Sequence, residues 1–222
     1  MAPSLMTAFD SSADRQPGTW IDGNGTAVFV PEGYEPGYAY PLVVWLEDSR
    51  GSGQAARDWF PRASERNCIV ISLQPPLPAD SLERDAEWRF SADDLWEALD
   101  YVGTAIAEVS AEMNVHPDRI FLAGDGDGAT MACDLLCVDP DQFAGAIAFR
   151  PSGPHADGVL HDWRSTPSRS VLLLAETLDA DRRLPLEQAG LDVEWSADLA
   201  PSAISSRLIA WIMGHISTAT PA

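Results

Sequence analysis

The stretch Ile120-Phe121-Leu122-Ala123-Gly124-Asp125-Gly126-Asp127-Gly128-Ala129-Thr130-Met131, IFLAGDGDGATM, passes from an unbroken apolar run through glycines at every second position into a segment of helical character. Apolar residues without alternation suit a strand covered on both faces. Glycines spaced this way let backbones approach closely where such a strand turns sharply into a helix. A strand, a tight turn and a helix in that order are the unit of a parallel sheet with helical crossovers.

The flanking sequence repeats the theme. Short apolar runs occur at TAVFV (26–30), PLVVWLE (41–47), CIVISL (68–73), RIFLAG (119–124), FAGAIAF (143–149), SVLLLAE (170–176) and LDVEWS (191–196). Between two of them, Ser91 precedes SADDLWEALDYVGTAIAEVSAEM, in which Leu95, Leu99, Val102 and Ile106 recur at helical spacing behind first-turn acids. Further helices are predicted over 127–138 and 202–213. The order β-β-β-α-β-α-β-β-α-β-α predicts an α/β fold, a mostly parallel central sheet with helices on both faces. Ligands of such sheets bind at the carboxyl ends of the strands, where the glycine turn lies.

A length of 222 residues fits one domain. The expected division is a loosely ordered segment over 1–20 and a single domain over 21–222. The charge is lopsided: 14 basic against 34 acidic residues give −20. Such a surface repels phosphate backbones and anionic headgroups, which argues against nucleic acid and membrane partners and keeps the chain soluble. No apolar run is long enough to span a bilayer, and MAPSLMTAFDSSADRQPG lacks the features of a signal peptide. Cys68, Cys133 and Cys137 show no disulfide or metal spacing, which fits a reducing, cytoplasmic setting. No cofactor or bound metal is expected from a motif.

YPLVVWL (40–46), HPDRIFLAG (116–124), PDQFAGAIAF (140–149), VLLLAETLD (171–179) and LIAWIM (208–213) together resemble the α/β-hydrolases. Within them, the chain is similar to bacterial esterases of the phospholipase/carboxylesterase and polyhydroxybutyrate-depolymerase-like type, over roughly residues 26–215. The resemblance implies a nucleophile elbow, G-x-S-x-G, whose outer small residues permit the turn. Gly124 and Gly128 occupy the outer positions, with Asp125 and Asp127 between, and Gly126 stands where the serine would be.

The other positions implied by the resemblance are altered too. Where the family's oxyanion region reads Leu-His-Gly, this chain has Leu46-Glu47-Asp48. Two unit charges about 4 Å apart at an effective dielectric near 20 repel by roughly 4 kcal/mol, the wrong sign for an oxyanion. The oxyanion region so defined comprises Glu47, Asp48 and the residue after the apex, Asp127. Asp179 falls at the triad-acid position, and Asp198 falls where the histidine is expected. Of the four histidines, His116 reads as structural at a strand entrance, and His215 as a helix stop. His155 and His161 flank a Pro/Gly-rich loop that could reach the active face.

An aspartate nucleophile is the enzymatic alternative, with Asp125, Asp127 and Asp179 as its constellation. Either aspartate as nucleophile would put the other at a position where the turn needs a small residue. Asp127 is instead predicted to be the helix N-cap. A second alternative is a divalent-cation site. Glu47, Asp48, Asp125, Asp127, Asp179 and Asp198 all fall at one end of the sheet, and oxygen ligands suit Ca²⁺ or Mg²⁺ unless Arg50, Arg89, Arg150 or Arg182 pair with them. The leading expectation is a catalytically degenerate esterase homologue, a pseudohydrolase retained to bind an unidentified small molecule or protein or to regulate.

Overall fold

The computed structural model describes residues 18–22, 26–49, 51, 54–63, 67–76, 86–152, 155, 169–177 and 180–215. Its strands are β1 (Thr19–Asp22), β2 (Thr26–Val30), β3 (Tyr40–Leu46), β4 (Ile69–Leu73), β5 (Val115–Asp125), β6 (Gly145–Phe149), β7 (Ser170–Leu174) and β8 (Asp192–Ser196). Its helices are α1 (Ala55–Ala63), α2 (Ala92–Glu112), α3 (Asp127–Val138), α4 (Ala180–Gln188) and α5 (Pro201–Gly214). The strands form one sheet in the order β1-β2-β4-β3-β5-β6-β7-β8. Only β2 runs antiparallel to its neighbours; from β4 to β8 every pairing is parallel. The mostly parallel α/β architecture expected from the apolar runs is therefore the one observed.

Side-chain alternation divides the core into two layers. On β3, Leu42, Val44 and Leu46 point into the layer completed by α2 and α3, while Val43 and Trp45 enter the layer completed by α1 and α5. The central strands are buried on both faces, which is why their sequences show no polar alternation. Helix α2 begins at a capping box: Ser91 Oγ accepts from the Asp94 amide at 3.2 Å, and the Asp94 carboxylate accepts from the Ser91 amide at 3.3 Å.

Two elements are absent from the sequence expectation. β1 is a four-residue edge strand, and α1 carries Arg57, Asp58, Pro61 and Arg62 in nine residues, so neither has an apolar period to read. Among the described residues, no helix is long and apolar enough to cross a membrane.

Candidate functional site

β3 and β5 are adjacent and parallel, so their carboxyl ends open side by side. At the end of β5 the chain turns through Gly126, with φ 58° and ψ −123°, directly into α3. This conformation is strained for any residue with a side chain. The turn is held by the Gly126 amide donating to the Phe149 carbonyl at 3.1 Å, and by the Thr130 and Ser152 amides donating to the Gly126 carbonyl at 3.3 and 3.0 Å. The outer glycines are needed for a different reason. A Cβ on Gly124 would lie 2.5 Å from the Gly128 carbonyl carbon, and one on Gly128 would lie 2.1 Å from the Leu46 carbonyl oxygen. Both obstacles are backbone.

The obstacle at Gly126 is a side chain. A Cβ there would lie 2.6 Å from Asp48 Oδ1 and 2.7 Å from its Cγ. The half-buried Asp48 carboxylate rests over the apex and accepts a hydrogen bond from the Asp127 amide at 3.2 Å. Carboxylate at the first turn of a helix also meets the positive end of its dipole.

Asp48 reaches this position because its neighbours fix the chain leaving β3. The Glu47 amide donates to the Leu73 carbonyl at 2.9 Å, Trp88 Nε1 donates to the Glu47 carbonyl at 2.7 Å, and the Trp88 amide donates to Ser49 Oγ at 3.0 Å. The Gly51 amide closes a turn on the Asp48 carbonyl at 3.0 Å. Alternation then sends successive side chains to opposite faces. Glu47 follows Val43 and Trp45 toward α1, which corrects the expectation that two carboxylates flank the turn. Its buried carboxylate accepts from Ser72 Oγ at 2.7 Å and from the Ala56 and Ala55 amides at 3.2 and 3.3 Å. Glu47 thus caps α1 through space.

Asp125 and Asp127 are each committed to a partner on the segment after β6. Asp125 forms a two-point ion pair with Arg150, whose Nε donates at 3.1 Å and whose second nitrogen also contacts the carboxylate. Asp127 accepts from Ser152 Oγ at 2.7 Å. Asp127 is not the N-cap: Gly126 holds that position without a side-chain bond, and Asp127 is the first helical residue. Its carboxylate is engaged by the Ser152 hydroxyl.

Two turns of α3 continue this contact. Thr130 Oγ1 donates to the Ser152 carbonyl at 2.5 Å, and fully buried Asp134 meets His155 Nδ1 at 2.6 Å. Asp127, Thr130 and Asp134 lie at i, i+3 and i+7, a polar stripe on an otherwise apolar helix, and that spacing is a readable signal for Asp134, whereas nothing local marks Ser152. The same helix buries two thiols. Burial and the nearby Asp134 charge push Cys137 up to about 12, and burial, Asp134 and Cys137 push Cys133 well above the ordinary thiol range.

The remaining candidates do not join the turn. Asp198, after β8, accepts from the Ala200 amide at 3.0 Å and stays exposed at the entrance to α5. His116 Nδ1 accepts from the Asp118 amide at 3.2 Å, and His215 caps α5, its Nδ1 lying 2.8 Å from the Trp211 carbonyl oxygen. Arg89 pairs with Asp94 and Glu97 on α2. Asp179, His161 and Arg50 lie outside the described residues, as does the Arg182 side chain. A cleft of about 530 Å³ beside the turn is lined by Glu47, Asp48, Gln74, Glu87, Trp88 and Asp127 among others, with no basic residue among the described residues of its lining. Among the described residues, no group of three or more histidine, cysteine, aspartate or glutamate side chains is arranged to hold a metal ion.

No family model and no curated protein sequence matches the chain. Solved structures do match in fold. The S-formylglutathione hydrolase of Agrobacterium tumefaciens superposes with a TM-score of 0.64 at 15% identity, covering 86% of this chain and 89% of that one. A carboxylesterase from Mesorhizobium loti gives 0.61 at 14% identity over 80% and 90% of the two chains. The Bacillus cereus carboxylesterase gives 0.59 at 18% identity over 85% and 93%. The chain has the α/β-hydrolase fold.

Proposed function

We propose that this protein is a hydrolase-fold domain that has lost serine-esterase chemistry and serves as a binding or regulatory module. The observation that carries this reading is Gly126 at φ 58° and ψ −123°, on the apex of an intact strand-to-helix turn. A nucleophile elbow holds its attacking side chain at that apex, so here the architecture stands without a hydroxyl. An oxyanion hole draws one donor from the amide after the nucleophile. That amide belongs to Asp127 and faces the Asp48 carboxylate, which opposes the charge an acyl-transfer transition state develops. In this assignment Gly126 holds the nucleophile position, Asp179 the acid position and Asp198 the histidine position.

The aspartate-nucleophile reading has weaker support, because Asp125 is paired with Arg150 and Asp127 with Ser152. The test is active-site labelling. The wild-type protein is expected to take up no fluorophosphonate and to turn over p-nitrophenyl acetate no faster than background. Stoichiometric labelling of any serine, Ser152 included, with turnover abolished by substituting that serine, would overturn the proposal.

A further inference from the structure

The carboxylate over Gly126 fills the space that a nucleophile side chain and the reacting oxygen would share. Three facts locate it there. Asp48 Oδ1 accepts from the Asp127 amide at 3.2 Å. A Cβ on Gly126 would come within 2.6 Å of that same oxygen. The chain on both sides of Asp48 is fixed, by the Leu73 carbonyl and Trp88 indole on Glu47 and by the Trp88 amide on Ser49. The side chain is therefore delivered to the apex by the backbone rather than drifting across it.

We infer that Asp48 is a built-in plug: an internal carboxylate that occupies the anion-accepting position of the elbow and is mutually exclusive with any side chain at residue 126. The inference rests on reading Gly126 as the vacated nucleophile position. The two changes are then one coupled change. Asp48 keeps its hydrogen bond only while residue 126 is glycine, and a side chain at 126 displaces the carboxylate rather than the backbone.

The coupling is measured in a double-mutant cycle of Gly126→Ala with Asp48→Ala, read as thermal midpoints. Alanine at 126 is strained in either background, and in the Asp48 background it also breaks the Asp48 bond to the Asp127 amide. The midpoint is expected to fall about 2–6 °C further with Asp48 present than with alanine at 48. Asp48→Asn keeps the shape and the acceptor, so the excess fall returns in that background. Equal falls in all three backgrounds would overturn the inference.

The plug itself is read by the Asp127 amide in a nitrogen-resolved NMR spectrum during titration with inorganic phosphate. Asp48→Ala is expected to shift that resonance saturably, while the wild type does not respond at matched ionic strength. A wild-type response of equal size would show an open position, and silence in both would show that the carboxylate blocks nothing; either result overturns the inference. Neither measurement depends on esterase activity, so the labelling experiment can fail while the plug stands, and the reverse.

Discussion

At the residue scale, three glycines two apart have two different reasons to be glycine: the positive φ and the Asp48 side chain at Gly126, and close backbone at the outer pair. Gly124 and Gly128 face backbone at 2.5 and 2.1 Å, and backbone cannot rotate away. Gly124→Ala and Gly128→Ala are each expected to cost about 3 kcal/mol or more in urea unfolding, the upper end of overpacking. Gly103, inside α2 with nothing within 4 Å of its would-be Cβ, is the internal control. Gly103→Ala should raise stability by about 0.5–1 kcal/mol through helix propensity alone. If all three alanines behave alike, close backbone approach is not what holds the turn. The outer glycines are legible in the sequence because their spacing encodes the approach. The occupant of the apex is not, since Asp48 lies 79 residues from Asp127 and only the β3–β5 pairing brings them together.

At the scale of elements, the helices differ in where their caps come from. α2 is capped by Ser91 and Asp94 from its own sequence, and its start is predicted from that sequence. α1 is capped by Glu47, eight and nine residues before the amides it receives, across the end of β3, so nothing local announces it. Ser91→Ala should cost about 1 kcal/mol. Glu47→Ala should cost about 2–4 kcal/mol, because it strands the Ser72 hydroxyl and two amides inside the protein; a loss no larger than that of Ser91→Ala would show that water replaces the carboxylate. α3 contributes an alkaline sensitivity to stability. Its Cys137 thiol is pushed from about 9 up to about 12, and Cys133 moves in the same direction. Below pH about 9 both folded and unfolded chains hold the Cys137 proton. Between about 9 and about 12 the unfolded chain releases it and the folded chain does not, so stability falls by up to about 1.4 kcal/mol per pH unit for this thiol. Chemical unfolding from pH 8 to 11 checks this: Cys137→Ala should flatten the decline, and an unchanged slope would place the alkaline sensitivity elsewhere.

At the scale of the whole molecule, the mostly parallel sheet with its covering helices follows from the hydrophobic pattern, whereas the fate of the acids depends on which face each strand end presents. The carboxylates named from sequence do fall at one end of the sheet wherever the structure describes them, but they disperse. Glu47 turns to α1, Asp125 to Arg150, Asp127 to Ser152, and Asp198 to its own loop. Convergence on a cation needed all of them to point inward, which sequence cannot specify. What remains is a net charge of −20, to which Glu87 and Asp48 contribute in the cleft. Self-repulsion on this scale acts over a Debye length of about 30 Å at 0.01 M salt and about 8 Å at 0.15 M. Raising NaCl between those concentrations should therefore raise the thermal midpoint, by about 2–8 °C if screening recovers about 1–2 kcal/mol. CaCl₂ at matched ionic strength should do no more than NaCl. An extra rise with Ca²⁺ that Asp48→Asn or Asp127→Asn abolishes would mean that the cleft gathers its carboxylates around a cation after all, and the view of these acids as dispersed and separately committed would have to be abandoned.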